Sequence, residues 1–264
     1  MPAVMGVVNV TPDSFSDGGL YIESEAAARH GAELIEAGAA IVDVGGESTR
    51  PGAAPVSVEV ESGRVVPTIW RLRAARPDAL ISVDTAKLEV AIEAVDAGAR
   101  YINDTTAFRN NPEMASFVAD RGLTCCLMHM QGDPRTMQNN PRYENVVDDV
   151  KAFLEERMTF AMSEGVPEES IHLDPGIGFG KTLEHNLRLL NRLDEIVAFG
   201  RPVVIGTSRK SFIGEITGAE PADRLPGTIA TNVIGFMHGA SIFRVHDVAE
   251  VNAALAVTRA ILDA

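Results

Sequence analysis

The chain has 264 residues, of which 45% are hydrophobic, and a formal net charge of −14 at pH 7. This acidic balance argues against non-specific nucleic-acid binding, which depends on a surplus of Lys and Arg. No apolar stretch reaches the roughly 18 residues of a membrane span. The chain starts on a short apolar run without a basic flank or a cleavage motif, so we expect a cytoplasmic protein that binds no membrane.

Short apolar runs alternate with longer helix-like stretches, a pattern typical of βαβ units in a parallel sheet. The predicted strands are residues 4–10, 41–44, 80–83, 101–102, 124–128, 171–173, 203–205 and 242–245. An open doubly wound sheet would alternate in the same way. Eight strands in a chain close to the roughly 250 residues of an eightfold barrel, without a linker, favour closure. We therefore predict an α/β protein with one (β/α)₈ TIM-barrel domain over residues 1–264.

Glycines mark the predicted helix ends, because a chain often leaves a helix through a residue with positive φ. Gly38, Gly98 and Gly239 each precede a short apolar run that ends on a polar residue five positions beyond the glycine. The helices predicted from start and stop signals span residues 24–37, 85–97 and 140–164. The adjacent pair Cys125 and Cys126 cannot form an unstrained disulfide, so both are predicted to be buried thiols.

Polar residues follow the predicted strands, and in a barrel these positions converge over one mouth. They are Asn9, Asp43, the 47–50 turn, Asp84, Asn103, His129, Asp174, the 208–210 turn, Arg244 and His246. Any one of them could simply cap a helix or a turn. Together they indicate a functional site.

The chemistry of these residues divides them into two groups. Asp84, Asn103 and Asp174 offer acceptors and donors suited to the edge of a flat heterocycle, and Lys210 adds a donor. The remaining group suits an anion such as a phosphate, because arginine binds phosphate oxygens in a bidentate manner. It comprises Arg244, His246, Asn9 and Arg50. Mg²⁺ bound by Asn9 and ligand oxygens would fit this half.

Eight segments, in order along nearly the whole chain, resemble the motifs of the dihydropteroate synthase family. They are residues 9–19 (NVTPDSFSDGG), 45–52 (GGESTRPG), 82–85 (SVDT), 102–104 (IND), 128–132 (MHMQG), 174–181 (DPGIGFGK), 208–211 (SRKS) and 244–247 (RVHD). The first two resemble the mobile loops of that family.

The resemblance implies a transferase of folate biosynthesis. Such an enzyme joins 4-aminobenzoate to 6-hydroxymethyl-7,8-dihydropterin diphosphate by a dissociative substitution, giving 7,8-dihydropteroate and diphosphate. It further implies Mg²⁺ as cofactor, inhibition by sulfonamides and a homodimer formed through the outer helices.

Site roles follow from the same resemblance. The pterin-binding residues are Asp84, Asn103, Asp174 and Lys210; with Arg50 they make up the expected catalytic set. The diphosphate residues are Thr49, Arg244 and His246, and the metal ligand is Asn9. The 4-aminobenzoate residues are Phe15, Thr49, Arg50, Pro51 and Ser211. Asp43 is expected to support the loop that carries Thr49 and Arg50.

The chain departs from the family at residues 105–111 (TTAFRNN), where a Ser-Gly-Gly turn is usual. We expect the loss of these glycines to remove positive-φ freedom and to place Phe108 and Arg109 near the pterin side of the mouth. This turn is the one feature that favours a catalytically silent pterin-binding paralogue. The other alternative, a methyltetrahydrofolate-dependent methyltransferase, would not need residues 48–51 or the Arg244 and His246 anion site.

Overall fold

The computed structural model describes residues 2–11 and 19–264. Eight parallel strands form a sheet in the order β6-β5-β4-β3-β2-β1-β8-β7. The strands are β1 (Ala3–Asn9), β2 (Ile41–Gly45), β3 (Leu80–Asp84), β4 (Tyr101–Asp104), β5 (Thr124–Met128), β6 (Ile171–Asp174), β7 (Val204–Ile205) and β8 (Ile242–Val245). A parallel bridge between Leu173 and Val203 joins the two ends of this sheet. The sheet is therefore a nearly closed barrel, and the predicted (β/α)₈ fold is confirmed.

One or two helices follow each strand. They are α1 (Gly19–Glu36), α2 (Val58–Ala75), α3 (Leu88–Ala97), α4 (Glu113–Asp120), α5 (Val146–Ser163), α6 (Leu183–Asn191), α7 (Asp194–Val197), α8 (Ser211–Thr217), α9 (Leu225–Met237) and α10 (Val248–Leu262). Within the described part of the chain, no helix combines the length and the apolar character needed to cross a membrane.

Two helices begin later than predicted. The third does not start at Thr85, because the Thr85 amide still bonds to the Asn103 carbonyl at 3.1 Å and its hydroxyl accepts the Lys87 amide. The fifth does not start at Asn140, which has a left-handed φ of 56° that cannot open a right-handed helix. It starts instead after Asn145, whose side chain accepts the Val147 amide at 3.2 Å.

The three glycine turns have the predicted conformation, with φ of 98° at Gly38, 125° at Gly98 and 94° at Gly239. Each turn is followed by two inward-facing side chains, since alternate residues of a strand share a face. The first is apolar and belongs to a small cluster inside the barrel; the cluster contains Met5, Ile41, Tyr101, Cys126, Val204 and Ile242. The second is polar and lies one layer nearer the carboxyl ends of the strands. The barrel thus has an apolar floor beneath a polar layer.

A larger apolar core fills the space between the barrel and the helices. Cys125 belongs to this core, whereas Cys126 faces the barrel interior. Both are free and buried, as predicted. Burial raises the pKa of each thiol, so neither is a reactive thiolate at neutral pH.

Candidate active site

Asp43 lies at the centre of the polar layer and has no exposed surface. Its Oδ1 accepts a hydrogen bond from the Ser82 hydroxyl at 2.5 Å. Its Oδ2 accepts from Asn103 Nδ2 at 3.0 Å and from Arg244 Nε at 2.7 Å. The expectation that Asp43 supports the loop with Thr49 and Arg50 is wrong, because the alternation of β2 directs this side chain into the barrel.

Arg244 connects two carboxylates. Besides its bond to Asp43, its Nη2 donates to Asp84 Oδ2 at 2.7 Å. Burial works against the charge on Arg244, but Asp43 and Asp84 outweigh burial and raise its pKa. Burial also disfavours the charged form of Asp84 and so raises the pKa of this carboxyl, whereas Arg244 opposes the rise. The structure therefore joins Arg244, predicted for the anion half, directly to Asp84 and, through Asp43, to Asn103. Both of these residues are predicted for the heterocycle half.

Asp174 and Lys210 lie at the mouth, and the charge of each affects the pKa of the other. Asp174 accepts the Gly176 amide at 2.6 Å, and burial raises the pKa of this carboxyl to about 6 against the effects of that amide and Lys210. Burial and Arg244 lower the pKa of Lys210 to about 8, while Asp174 and Asp84 oppose the shift. Lys210 Nζ lies 3.9 Å from the centroid of the Phe179 ring. Asp174 and Lys210 are thus close enough to bind the same ligand.

His246 follows β8 and lies against the turn after β7. Its Nδ1 is 3.0 Å from the Ser208 hydroxyl, and burial together with Arg244 lowers the pKa of the imidazole to about 4. His246 is therefore neutral at pH 7. Arg209, held at a φ of 56°, bonds through Nε to Asp247 at 3.0 Å and so ties the two turns together.

Thr49, Arg50 and Pro51 lie on the turn after β2 and not on a strand. Thr49 is half-buried, whereas Arg50 and Pro51 are exposed. Glu47 anchors this turn by accepting the Val56 amide at 3.3 Å and by pairing with Lys87, which also pairs with the buried Glu61. The amide of Gly52 donates to the Pro134 carbonyl at 2.9 Å.

The remaining predicted residues occupy three places. Ser211 is exposed and begins α8 directly after Lys210. Asn9 ends β1 beside Gly45; a β-carbon at Gly45 would lie 3.9 Å from Asn9 Oδ1 and 3.7 Å from Asp84 Oδ2. Phe15 lies outside the described residues. Among the residues that are described, no group of three or more His, Cys, Asp or Glu side chains forms a metal site.

Comparison with known proteins agrees with this arrangement. Residues 5–246 match the family of pterin binding enzymes. The chain is 48% identical over 263 residues to dihydropteroate synthase of Escherichia coli strain K12, covering 100% of this chain and 93% of that one. The chain belongs to the dihydropteroate synthase family. It is a transferase of folate biosynthesis.

Solved structures of the family have the same fold. Yersinia pestis dihydropteroate synthase with a sulfonamide drug complex has a TM-score of 0.93 and 44% identity, covering 100% of this chain and 95% of that chain. Xanthomonas albilineans dihydropteroate synthase in complex with 7,8-dihydropteroate has a TM-score of 0.90 and 43% identity, covering 100% and 94%. The two alternatives, a silent paralogue and a methyltransferase, are not supported by these relatives.

One buried pair at the mouth was not assigned a role from the sequence. Lys181 is 3% exposed, and its Nζ lies 2.9 Å from His129 Nδ1 and 3.0 Å from the Phe179 carbonyl. Burial and the Lys181 charge lower the pKa of His129 to about 2, so the imidazole is neutral and can accept from the lysine. Burial lowers the pKa of Lys181 to about 7. The available signal was a lysine directly after the glycine-rich run at the end of β6.

The turn that departs from the family motif keeps positive φ without glycine. Ala107 and Phe108 have φ of 51° and 64°. Asp104 stabilises the turn by accepting the Thr106 amide at 2.7 Å and the Phe108 amide at 2.9 Å, and Arg157 donates to the Ala107 carbonyl at 2.8 Å. The expected loss of left-handed conformation is therefore wrong.

Two side chains of this turn, Phe108 and Arg109, have different surroundings. Phe108 is fully buried in the main core, so the expectation that it lies at the mouth is wrong. Arg109 is exposed and donates to the Met130 carbonyl at 2.9 Å. The turn thus connects the end of β4 to the loop after β5.

Proposed function

We propose that the chain joins 4-aminobenzoate to 6-hydroxymethyl-7,8-dihydropterin diphosphate at the mouth of a single-domain barrel formed by residues 1–264. The observation that carries this proposal is the buried network in which Asp43 and Arg244 link Asn103 to Asp84. Such a network holds acceptors and donors in fixed positions above an apolar floor, an environment that suits a pterin ring.

Asp84, Asn103, Asp174 and Lys210 bind the pterin. All four lie at the carboxyl ends of β3, β4, β6 and β7 or in the turn that follows. Carboxylates accept from the amino and N–H groups of the ring, and the Lys210 ammonium donates to its carbonyl or to a ring nitrogen. Because the site is buried, each hydrogen bond also discriminates against rings that lack the matching group.

Thr49, Arg244 and His246 bind the diphosphate. Arg244 carries a permanent charge, whereas the neutral His246 donates through the ring nitrogen that Ser208 does not engage. The amide oxygen of the half-buried Asn9, at the end of β1 and separated from Asp84 by Gly45, suits Mg²⁺, which prefers oxygen ligands and binds substrate phosphates. Bound Mg²⁺ would supply charge neutralisation to the leaving diphosphate.

Aminobenzoate binds between the turn after β2 and the start of α8. Arg50 suits its carboxylate, and Thr49, Pro51 and Ser211 contribute the described part of the pocket. Phe15, outside the described residues, is assigned to aminobenzoate by the family resemblance alone. As diphosphate departs, Arg244 and His246 stabilise its negative charge, while Asp84 and Asp174 stabilise the positive charge that develops on the pterin methylene. The arylamine then attacks that carbon and loses a proton. No covalent intermediate with the protein is required.

Release of diphosphate tests this function. Purified protein is incubated with pterin diphosphate, aminobenzoate and Mg²⁺, and diphosphate and dihydropteroate are quantified together. We expect one dihydropteroate per diphosphate, a rate that depends on aminobenzoate, and competition by a sulfonamide. Diphosphate release at an unchanged rate without aminobenzoate, or no release at all, would contradict the proposal.

We further infer a cytoplasmic homodimer. Its support is a set of five exposed apolar side chains on α9 and α10, two helices that pack against each other. These are Ile234, Met237, Val257, Ile261 and Leu262, between 44% and 69% exposed. Large apolar side chains exposed on neighbouring helices are a feature of protein interfaces. The two buried free thiols fit a reducing compartment.

A further inference from the structure

We propose that Asp43 is a positioning residue that orients the Asn103 amide and the Arg244 guanidinium, and thereby decides which polar atom Asn103 offers to the pterin. The inference rests on the proposed role of Asn103 in ring binding. It adds a residue that touches neither substrate nor metal but controls two residues that do.

The position of Asp43 makes this control possible. Its carboxylate receives donors from three strands, namely Ser82 from β3, Asn103 from β4 and Arg244 from β8. The side chain is fully buried, with the apolar layer of Ile41 directly before it on the same face of β2. A charge in such a place is stable only when its hydrogen bonds are satisfied, so these three bonds hold their partners strongly.

The acceptor-only character of a carboxylate fixes the Asn103 amide. An amide has one accepting and one donating end, and a rotation of about 180° exchanges them at little intrinsic cost. Because Asp43 Oδ2 can only accept, the Nδ2 end of Asn103 must face it. This leaves Oδ1 as the acceptor for an N–H group of the ring.

The same carboxylate fixes the plane of Arg244. Nε is bonded to Asp43 and Nη2 to Asp84, and two bonds to a planar guanidinium determine its orientation. The N–H groups that remain are those available to the diphosphate. Asp43 therefore couples the orientation of a pterin-binding residue to that of a diphosphate-binding residue.

A reciprocal exchange of the two side chains tests the proposal. Wild type, Asp43→Asn, Asn103→Asp and the double variant are titrated calorimetrically with 6-hydroxymethylpterin, which lacks the diphosphate. We expect Asn103→Asp to bind the ring at least ~10-fold more weakly, because its carboxylate faces that of Asp43. Asp43→Asn should weaken ring binding by a smaller factor, because a neutral oxygen replaces the charged acceptor of Asn103 and Arg244.

In the double variant, the amide introduced at position 43 donates to the carboxylate introduced at position 103, which still presents an acceptor to the ring. We therefore expect the double variant to bind the ring at least ~3-fold more tightly than Asn103→Asp. It should not reach wild-type affinity, because the introduced amide nitrogen replaces the oxygen that also accepted from Arg244 Nε. Ser82→Ala is the matched control: it removes the third donor to Asp43 but leaves Asn103 and Arg244 bonded. Its ring affinity should stay within ~2-fold of wild type, because the lost hydrogen bond does not hold a ligand-binding residue.

A purely structural role would lower thermal stability without this pattern of loss and recovery. The proposal is overturned if Asp43→Asn binds the ring as wild type does, if the two single losses multiply in the double variant, or if the double variant does not fold. If Asp43→Asn alone does not fold, recovery from Asn103→Asp to the double variant decides the question. Absence of ring binding by wild type would instead refute the proposed function.

Discussion

Arg244 is the residue at which the two halves of the predicted site meet. Residue chemistry grouped it with His246 on the anion side, whereas its guanidinium is paired with Asp43 and Asp84. Removing one partner from a buried ion pair typically costs about 3–5 kcal/mol, because the remaining charge is left uncompensated. Arg244→Ala would therefore disturb the pterin half and the overall stability as well. His246, bonded to Ser208 and neutral, is the cleaner probe of diphosphate binding.

Deprotonation of Lys210 should lower kcat/KM at alkaline pH. Burial and Arg244 lower its pKa to about 8, so the ammonium is present below pH 8 and is lost above it. We expect kcat/KM for the pterin diphosphate, which reports on the free enzyme, to fall as pH rises through about 8. Lys210→Arg keeps the charge and should remove this fall, even if its overall activity is lower.

The control for this pH profile is Lys181→Met. Burial lowers the pKa of Lys181 to about 7, so its titration could mimic the effect of Lys210. We expect Lys181→Met to keep the alkaline fall. If the fall in kcat/KM persisted in Lys210→Arg but disappeared in Lys181→Met, Lys181 would be the titrating group and our assignment to Lys210 would be wrong.

At the scale of the element, the repeated unit of glycine turn, apolar residue and polar residue explains how side chains are delivered to the mouth. Gly176 shows how closely the loops between these units pack, because a β-carbon there would lie 1.9 Å from the His129 carbonyl oxygen. Its φ of 67° adds backbone strain for any other residue. We expect Gly176→Ala to lower the free energy of unfolding by at least about 3 kcal/mol.

Gly200→Ala is the matched control. Gly200 has a φ of 74°, but no atom lies within 4 Å of the position of its missing β-carbon. The substitution should therefore cost only the left-handed conformation, about 1–2 kcal/mol. Urea denaturation of both variants measures the difference, and equal losses would show that the close approach to His129 is absent in solution.

Much of the fold, and the presence of polar residues at the carboxyl ends of the strands, could be predicted from local patterns. The strands, the glycine turns and the polar residues that follow the strands each depend on a short stretch of sequence. The structure confirms the eight strands and the three glycine turns. The partners of Asp43 and Arg244 could not be predicted, since they are 201 residues apart and meet only when the barrel closes. The left-handed turn at Ala107 was missed because Asp104 and Arg157 replace the freedom that glycine would provide.

The whole molecule is acidic, with a net charge of −14, yet its proposed substrates are anions. The cations proposed to bind these anions are clustered locally, since Lys210, Arg244 and Arg50 all lie near one mouth. Arg244 and Arg50 both lower the pKa of His246. Because charges on the outer surface are screened beyond about 8–10 Å in physiological salt, the local cluster can dominate.

The proposed dimer is also a property of the whole molecule. Met237 is 63% exposed on α9 and Ile261 is 69% exposed on α10. We expect the double variant Met237→Glu, Ile261→Glu to sediment as a monomer while wild type sediments as a dimer, since charges would be buried at the interface. Trp70→Glu, at a 61% exposed apolar residue on α2, is the control and should stay dimeric. An unchanged mass for the double variant would place the interface elsewhere.

The division of one mouth into a pterin half and a diphosphate half is the central claim. It is tested most directly by calorimetric titration of Asp174→Asn and His246→Gln with two ligands, 6-hydroxymethylpterin and its diphosphate. We predict that Asp174→Asn weakens both ligands at least ~10-fold, because both contain the ring. His246→Gln should weaken the diphosphate ligand alone. Equal losses for both ligands in His246→Gln, or unchanged ring binding in Asp174→Asn, would contradict the account.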